Sequence, residues 1–175
     1  MRRLGTVIRA PSGRRSRGQS LVEFALVLPI FLFLLFAVID GGRYVYLNSS
    51  LSNAAREGAR LGSVEASWRG STDPSCGASG GPVCPANTAI LTSHIRAAAD
   101  RQMAPFGSVN NVYLRCVAAT GTPPTGSWTG ATCASPEAGG WISVRVTYTW
   151  RAITPVIADV MGSISTSGSA TVIIN

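Results

Sequence analysis

Residues 21–39 read LVEFALVLPIFLFLLFAVI, a run in which only Glu23 and Pro29 are not plainly apolar. As a helix this run measures about 28 Å, against roughly 30 Å for the hydrocarbon core of a bilayer. A core helix of a water-soluble fold carries a polar stripe wherever it meets solvent, and 30–39 has none on any face. The run therefore predicts a single membrane-spanning helix, with membrane lipid as its surroundings. Six arginines (Arg2, Arg3, Arg9, Arg14, Arg15 and Arg17) precede it with no acid among them, whereas Asp40 follows at once and Arg43 is the one basic residue in the next dozen. That asymmetry predicts a cytoplasmic N-terminus and places everything after Asp40 on the far side of the cytoplasmic membrane.

The net charge of +7 belongs to this leader, because from residue 19 onward nine arginines face eight acids. A basic tail on a nearly neutral remainder excludes a folded nucleic-acid-binding surface, so no nucleic-acid partner is expected. With 46% apolar and only 13% charged residues, the chain is also too apolar to remain disordered. A cleaved secretory signal would need small residues just after the apolar run, where the sequence is Ile39-Asp40-Gly41-Gly42-Arg43-Tyr44. The Arg14-Arg15 pair lacks the remainder of a twin-arginine signal.

Beyond the apolar run, Tyr44, Leu47, Leu51, Ala54, Ala55, Gly58 and Leu61 or Gly62 recur at steps of three or four without a proline. The helix is thus expected to continue, from about Ser20 to Val64 over roughly 68 Å, with a flexible joint at Gly41-Gly42 and a kink or a freed carbonyl at Pro29. The small residues Ala54, Ala55, Gly58, Ala59 and Gly62 allow another element to approach closely, either the chain's own globular part or a partner helix. Residues 67–87 read as a Gly/Ser/Pro loop. A second helix is capped at Asn87 or Thr88 and carries an apolar stripe of Ile90, Leu91, Ile95, Ala98 and Met103, ending before Pro105 and Gly107. Alternation predicts strands over Val112–Val117 and Ile142–Trp150, separated by a loop at 119–140. A turn or short helix around Thr154–Met161 then leads to a third strand within SISTSGSATVIIN. The expected class is α+β: a leader over 1–18, a transmembrane helix over 19–40, its amphipathic continuation over 41–66, and an exported domain over 67–175. That domain holds a small antiparallel sheet with one packed helix.

All four cysteines lie on the exported side, where an oxidising compartment favours disulfides. Of the three possible pairings, Cys76 with Cys84 and Cys116 with Cys133 are favoured, since each pair brackets a Gly/Pro-rich loop whose ends can meet. Zinc is disfavoured: there is no C-x2-C pair, and His94 stands alone, inside the second helix. Scattered carboxylates and a lone histidine assemble no nucleophile with its base, no paired acids and no metal site, so neither catalytic residues nor a cofactor are expected. GASGG at 77–81 lacks the Lys-Ser/Thr ending of a phosphate loop and reads as a turn. Trp68, Trp128, Trp141 and Trp150 suit a carbohydrate or partner surface, or else core and membrane-interface positions.

In RGQSLVEFALVLPIF, Gly18 is followed by four residues and then Glu23, the arrangement of a prepilin cleavage site. With Pro29 and the later stretch Ala54-Ala55-Arg56-Glu57-Gly58-Ala59-Arg60, residues 18–62 resemble the TadE-like family, pilin-like minor components of tight-adherence (Flp-type) pilus systems. The resemblance implies that a membrane-embedded prepilin peptidase cuts after Gly18, leaving Gln19 as the new N-terminus, where the family usually has a large apolar residue, and Glu23 as the fifth residue. It implies other pilin-like subunits and the pilus assembly machinery as partners. Independently, a carboxylate within an apolar span costs up to a few kcal/mol when central unless it is paired or snorkels. The freed amino group of Gln19 on a neighbouring subunit can pair with Glu23 and set the stagger of packed helices; the alternatives are snorkelling or pairing with Arg17. The sequence thus points to a pilin-like structural subunit. The alternative is a single-pass membrane protein whose exported domain holds a surface ligand or envelope component.

Overall fold

The computed structural model describes residues 16–175 apart from 70, 72, 77, 80, 82, 83, 126–129, 134 and 135. The arginine-rich stretch 1–15, Trp128, and Gly77 and Gly80 of the GASGG turn lie outside the described residues. Helix α1 runs Ser16–Glu65, 50 residues, and stays α-helical through both Pro29 and Gly41-Gly42. Proline lacks the N–H that would bond four residues back, so the Ala25 carbonyl loses its helical donor while the helix persists. The chain divides into two compact units, one ending at Ile39 and the other comprising Asp40–Asn175.

In the first unit the apolar side chains are exposed all round, from Leu21 (69%) and Phe24 (63%) to Val38 (73%). A helix apolar on every face and buried by nothing is the form that suits lipid rather than water.

The second unit is built on a four-stranded sheet. After the last part of α1 come α2 (Thr88–Gln102), β1 (Asn111–Val117), β2 (Ala131–Thr132), β3 (Trp141–Arg151), α3 (Pro155–Met161) and β4 (Ser163–Ile173). The strand order is β2-β1-β3-β4. The three long strands are antiparallel, with Leu114 opposite Val144 and Val144 opposite Ala170. β2 adds a parallel edge of two residues, pairing Leu114 with Ala131 and Arg115 with Thr132 inside what the sequence presents as a loop.

Local chemistry sets the boundaries. The Asn87 side chain accepts the Ile90 amide at 3.0 Å and caps α2. Asp100 accepts the Val109 amide at 2.8 Å, and Arg96 donates to the carbonyls of Val109 (3.0 Å) and Asn110 (3.1 Å), fixing the turn into β1. Along β3 the alternation holds: Ile142, Val144 and Val146 are fully buried and Trp150 nearly so. Ser143, on the opposite face, is buried as well, and its hydroxyl meets that of Thr171 across the strand pair.

Two helices, not one, cover the inner face. Leu47, Leu51, Ala54, Ala55 and Ala59 of α1 join Leu91, Ile95, Ala98 and Ala99 of α2 over the sheet, all of them without exposed surface. Ile90, expected in the α2 stripe, is 37% exposed, because it sits in the first turn and ahead of the buried row. The small residues of α1 make the close packing possible. A β-carbon on Gly58 would stand 2.9 Å from Ile95 Cγ2, and one on Gly62 2.7 Å from Ile142 Cδ1. The C-terminal half of α1 is therefore a core element of the folded unit, and the close approach foreseen for Gly58 and Gly62 is made within the chain.

Candidate functional site

The sequence directs attention to the start of α1. Gly18, Gln19 and Glu23 are all exposed, and nothing lies within 4 Å of where a β-carbon on Gly18 would be. One turn of helix brings the Gln19 side-chain amide to Glu23, Nε2 donating to Oε1 at 3.1 Å. Gln19, the residue after the expected cut, and Glu23 thus share one helix face and a hydrogen bond. A carboxylate so placed is open to a stronger, cationic partner.

The second conspicuous stretch, Ala54–Arg60, divides cleanly by face. Ala54, Ala55, Gly58 and Ala59 are turned into the core, while Arg56 and Arg60 are exposed. Arg60 makes a bidentate contact with Glu57, Nη2 to Oε1 at 2.7 Å and Nε to Oε2 at 2.9 Å. That hydrogen bonding from Arg60 holds the Glu57 carboxyl below its ordinary pKa despite partial burial. The motif therefore seats the helix with one face and stays solvated with the other.

Asp40, read from the sequence only as a flank of the apolar run, has a structural task. Its buried carboxylate accepts the amides of Ile153 (Oδ1, 3.1 Å) and Thr154 (Oδ2, 3.2 Å) and lies 3.5 Å from Arg43. It thereby ties the connection between β3 and β4 to α1. Beside it Tyr44 packs edge-on against Trp150 at 5.4 Å between ring centres, and Tyr46 meets Phe106 at 5.4 Å.

The four cysteines form Cys76–Cys84 and Cys116–Cys133, with Cα separations of 5.5 and 4.5 Å. The second joins β1 to the residue after β2 and so fastens the short parallel edge. His94, half-buried on α2, forms a bridge: its Nδ1 lies 2.7 Å from Oε2 of the buried Glu65, linking α2 to the end of α1. Neither partner's spacing in sequence signals that pair. Trp150 is 4% exposed and belongs to the core, while Trp68 and Trp141 are half-buried. Among the described residues no three His, Cys, Asp or Glu side chains gather as metal ligands would.

These features put the sequence signals on one helix. Residues 18–60 match the family model described as TadE-like protein. No curated protein and no solved structure matches the chain. The TadE-like segment lies wholly within α1 and takes in the cleavage-site pattern, the apolar run, Asp40 and the Ala54–Arg60 stretch. The match suggests a pilus-associated protein of tight-adherence (Flp-type) systems, and α1 is long and apolar enough to fit a single-pass membrane anchor. The sheet, α2, α3 and both disulfides fall beyond the matched residues.

Proposed function

We propose that the chain is a membrane-anchored, pilin-like subunit that takes part in the assembly or structure of a tight-adherence pilus. The observation that carries this reading is that the TadE-like match coincides with one helix whose first part is apolar and exposed all round and whose second part is the spine of a folded unit. Such a helix serves two tasks: it packs among other helices in or from the membrane, and it holds a domain at its end.

In this reading the leader 1–18 stays in the cytoplasm and 41–175 is exported, following the arginine asymmetry. Prepilin peptidase removes the leader after Gly18, where a residue without a side chain leaves the scissile backbone open. Gln19 then carries a free α-amino group and Glu23 becomes the fifth residue. The amine of one subunit pairs with the Glu23 carboxylate of the next, compensating a charge that lipid would penalise and setting the stagger between helices. The disulfides suit the oxidising side.

Glu23→Gln and Glu23→Ala test the pairing. Both variants are expected to keep a correctly oxidised domain in the membrane while crosslinking to other pilin-like subunits and recovery of surface pili fall. Normal assembly would mean that the carboxylate merely snorkels. Loss of the protein from the membrane would assign Glu23 to insertion instead.

A further inference from the structure

The connection between β3 and β4 carries more apolar surface than its place in the fold uses. β3 and β4 form a hairpin whose last pair is Arg151 with Ser163. The residues that join them, 152–162, read AITPVIADVMG, with Asp159 as the sole charge. Ile157 and Ala158 of α3 turn inward and are buried. Ile153 (67% exposed), Val156 (59%), Val160 (83%) and Met161 (54%) do not. A surface connection that faces water has no physical reason to display four large apolar side chains together.

Its position supplies the reason. The amides of Ile153 and Thr154 are held at 3.1 and 3.2 Å by Asp40, the residue bonded directly to the last apolar residue of the run, Ile39. At whatever angle the apolar helix stands, the Ile39–Asp40 peptide bond keeps this carboxylate, and with it the amides of Ile153 and Thr154, within one residue of the end of the apolar run. α3 is about 10 Å long, comparable to the polar headgroup layer, which is roughly 5–8 Å deep on each side of the bilayer core. A neighbouring side chain matches that layer. The exposed Arg151 offers a guanidinium group suited to lipid phosphates. The exposed Asp159 is the one opposing charge on α3.

We propose that the β3–β4 connection is a second membrane contact, with Ile153, Val156, Val160 and Met161 dipping into the interfacial layer of the phospholipid bilayer that 21–39 crosses. The inference rests on the membrane-anchored reading. It adds that the folded unit is not merely tethered but seated on the lipid surface, so that leaving the membrane for a fibre would uncover this ridge.

The test uses the full chain reconstituted in phosphatidylethanolamine/phosphatidylglycerol vesicles, with the photocrosslinker p-benzoylphenylalanine placed singly by Val160→p-benzoylphenylalanine, Phe31→p-benzoylphenylalanine or Ala119→p-benzoylphenylalanine. Phe31 reports the span, and Ala119 lies past the far end of the sheet. After illumination, mass spectrometry is expected to find phospholipid adducts at positions 160 and 31 and none above background at 119. Adding Val156→Asp and Met161→Asp should lower the lipid adducts at 160 about tenfold without affecting those at 31. Because these side chains are exposed, both disulfides should persist in the variants, as peptide mapping would verify. Lipid adducts at 31 alone overturn the inference and leave the anchor standing; adducts at neither position overturn both. A crosslink from 160 to a second copy of the chain overturns the lipid assignment in favour of a subunit contact.

Discussion

At Gly168 a single methyl group has no place to go. A β-carbon there would lie 2.4 Å from the Leu51 carbonyl oxygen, a backbone atom of α1 that cannot swing aside. Gly168→Ala should therefore lower the stability of the folded unit by about 1–3 kcal/mol, seen as a lower thermal midpoint with both disulfides intact. At Gly41, by contrast, the space is open and the backbone helical. Gly41→Ala should stabilise the helix by about 0.5–1 kcal/mol, and equal effects at the two sites would contradict the packing described. Asp40→Ala should release the amides of Ile153 and Thr154 to fast hydrogen exchange, since each loses a charged acceptor worth about 1.5–3 kcal/mol. Unchanged protection at these amides would mean that the connection holds itself. Gly58 and Gly62 were legible in the sequence because small residues at helical spacing reveal a close-packed face. Gly168 and Asp40 were not, because their partners lie far along the chain and no local period marks them.

At the scale of elements, what was legible was what repeats. The α1 extension, the α2 cap at Asn87 and the alternation of β3 each leave a period or a capping residue in the sequence. The strand Ala131–Thr132 leaves neither, being two residues long and fixed by its pairing with β1 and by the adjoining Cys133. That dependence yields a prediction. Removing Cys116–Cys133 by paired serine substitutions should cost about 3 kcal/mol, and removing Cys76–Cys84 about 2.5 kcal/mol, because the second ring is shorter. Chemical unfolding of the two variants would measure the order, and loss of exchange protection at Arg115 and Thr132 should accompany only the first. Retained protection at Arg115 and Thr132 after removal of Cys116–Cys133 would show that this disulfide does not secure the β2 edge. The His94–Glu65 bridge belongs to the same class as β2: only the packing of α2 against the end of α1 brings the two side chains together.

For the whole molecule, the decisive asymmetry is between an apolar helix that its own chain does not bury and a disulfide-linked α+β unit that buries the same helix farther along. The TadE-like match covers the apolar helix and the part of α1 that seats the folded unit, so the anchor-like character of the helix was legible from residue pattern, whereas the sheet, α2, α3 and both disulfides lie beyond the matched residues. In the proposed function Gly18 and Gln19 form the boundary between a discarded leader and a mature pilin-like subunit. The intact mass of the protein extracted from membranes tests this most directly. A mass that begins at Gln19, and reverts to the full-length value when Gly18 is replaced by a bulky residue, is the predicted result; a mature chain beginning at Met1, or anywhere after Asp40, would contradict it.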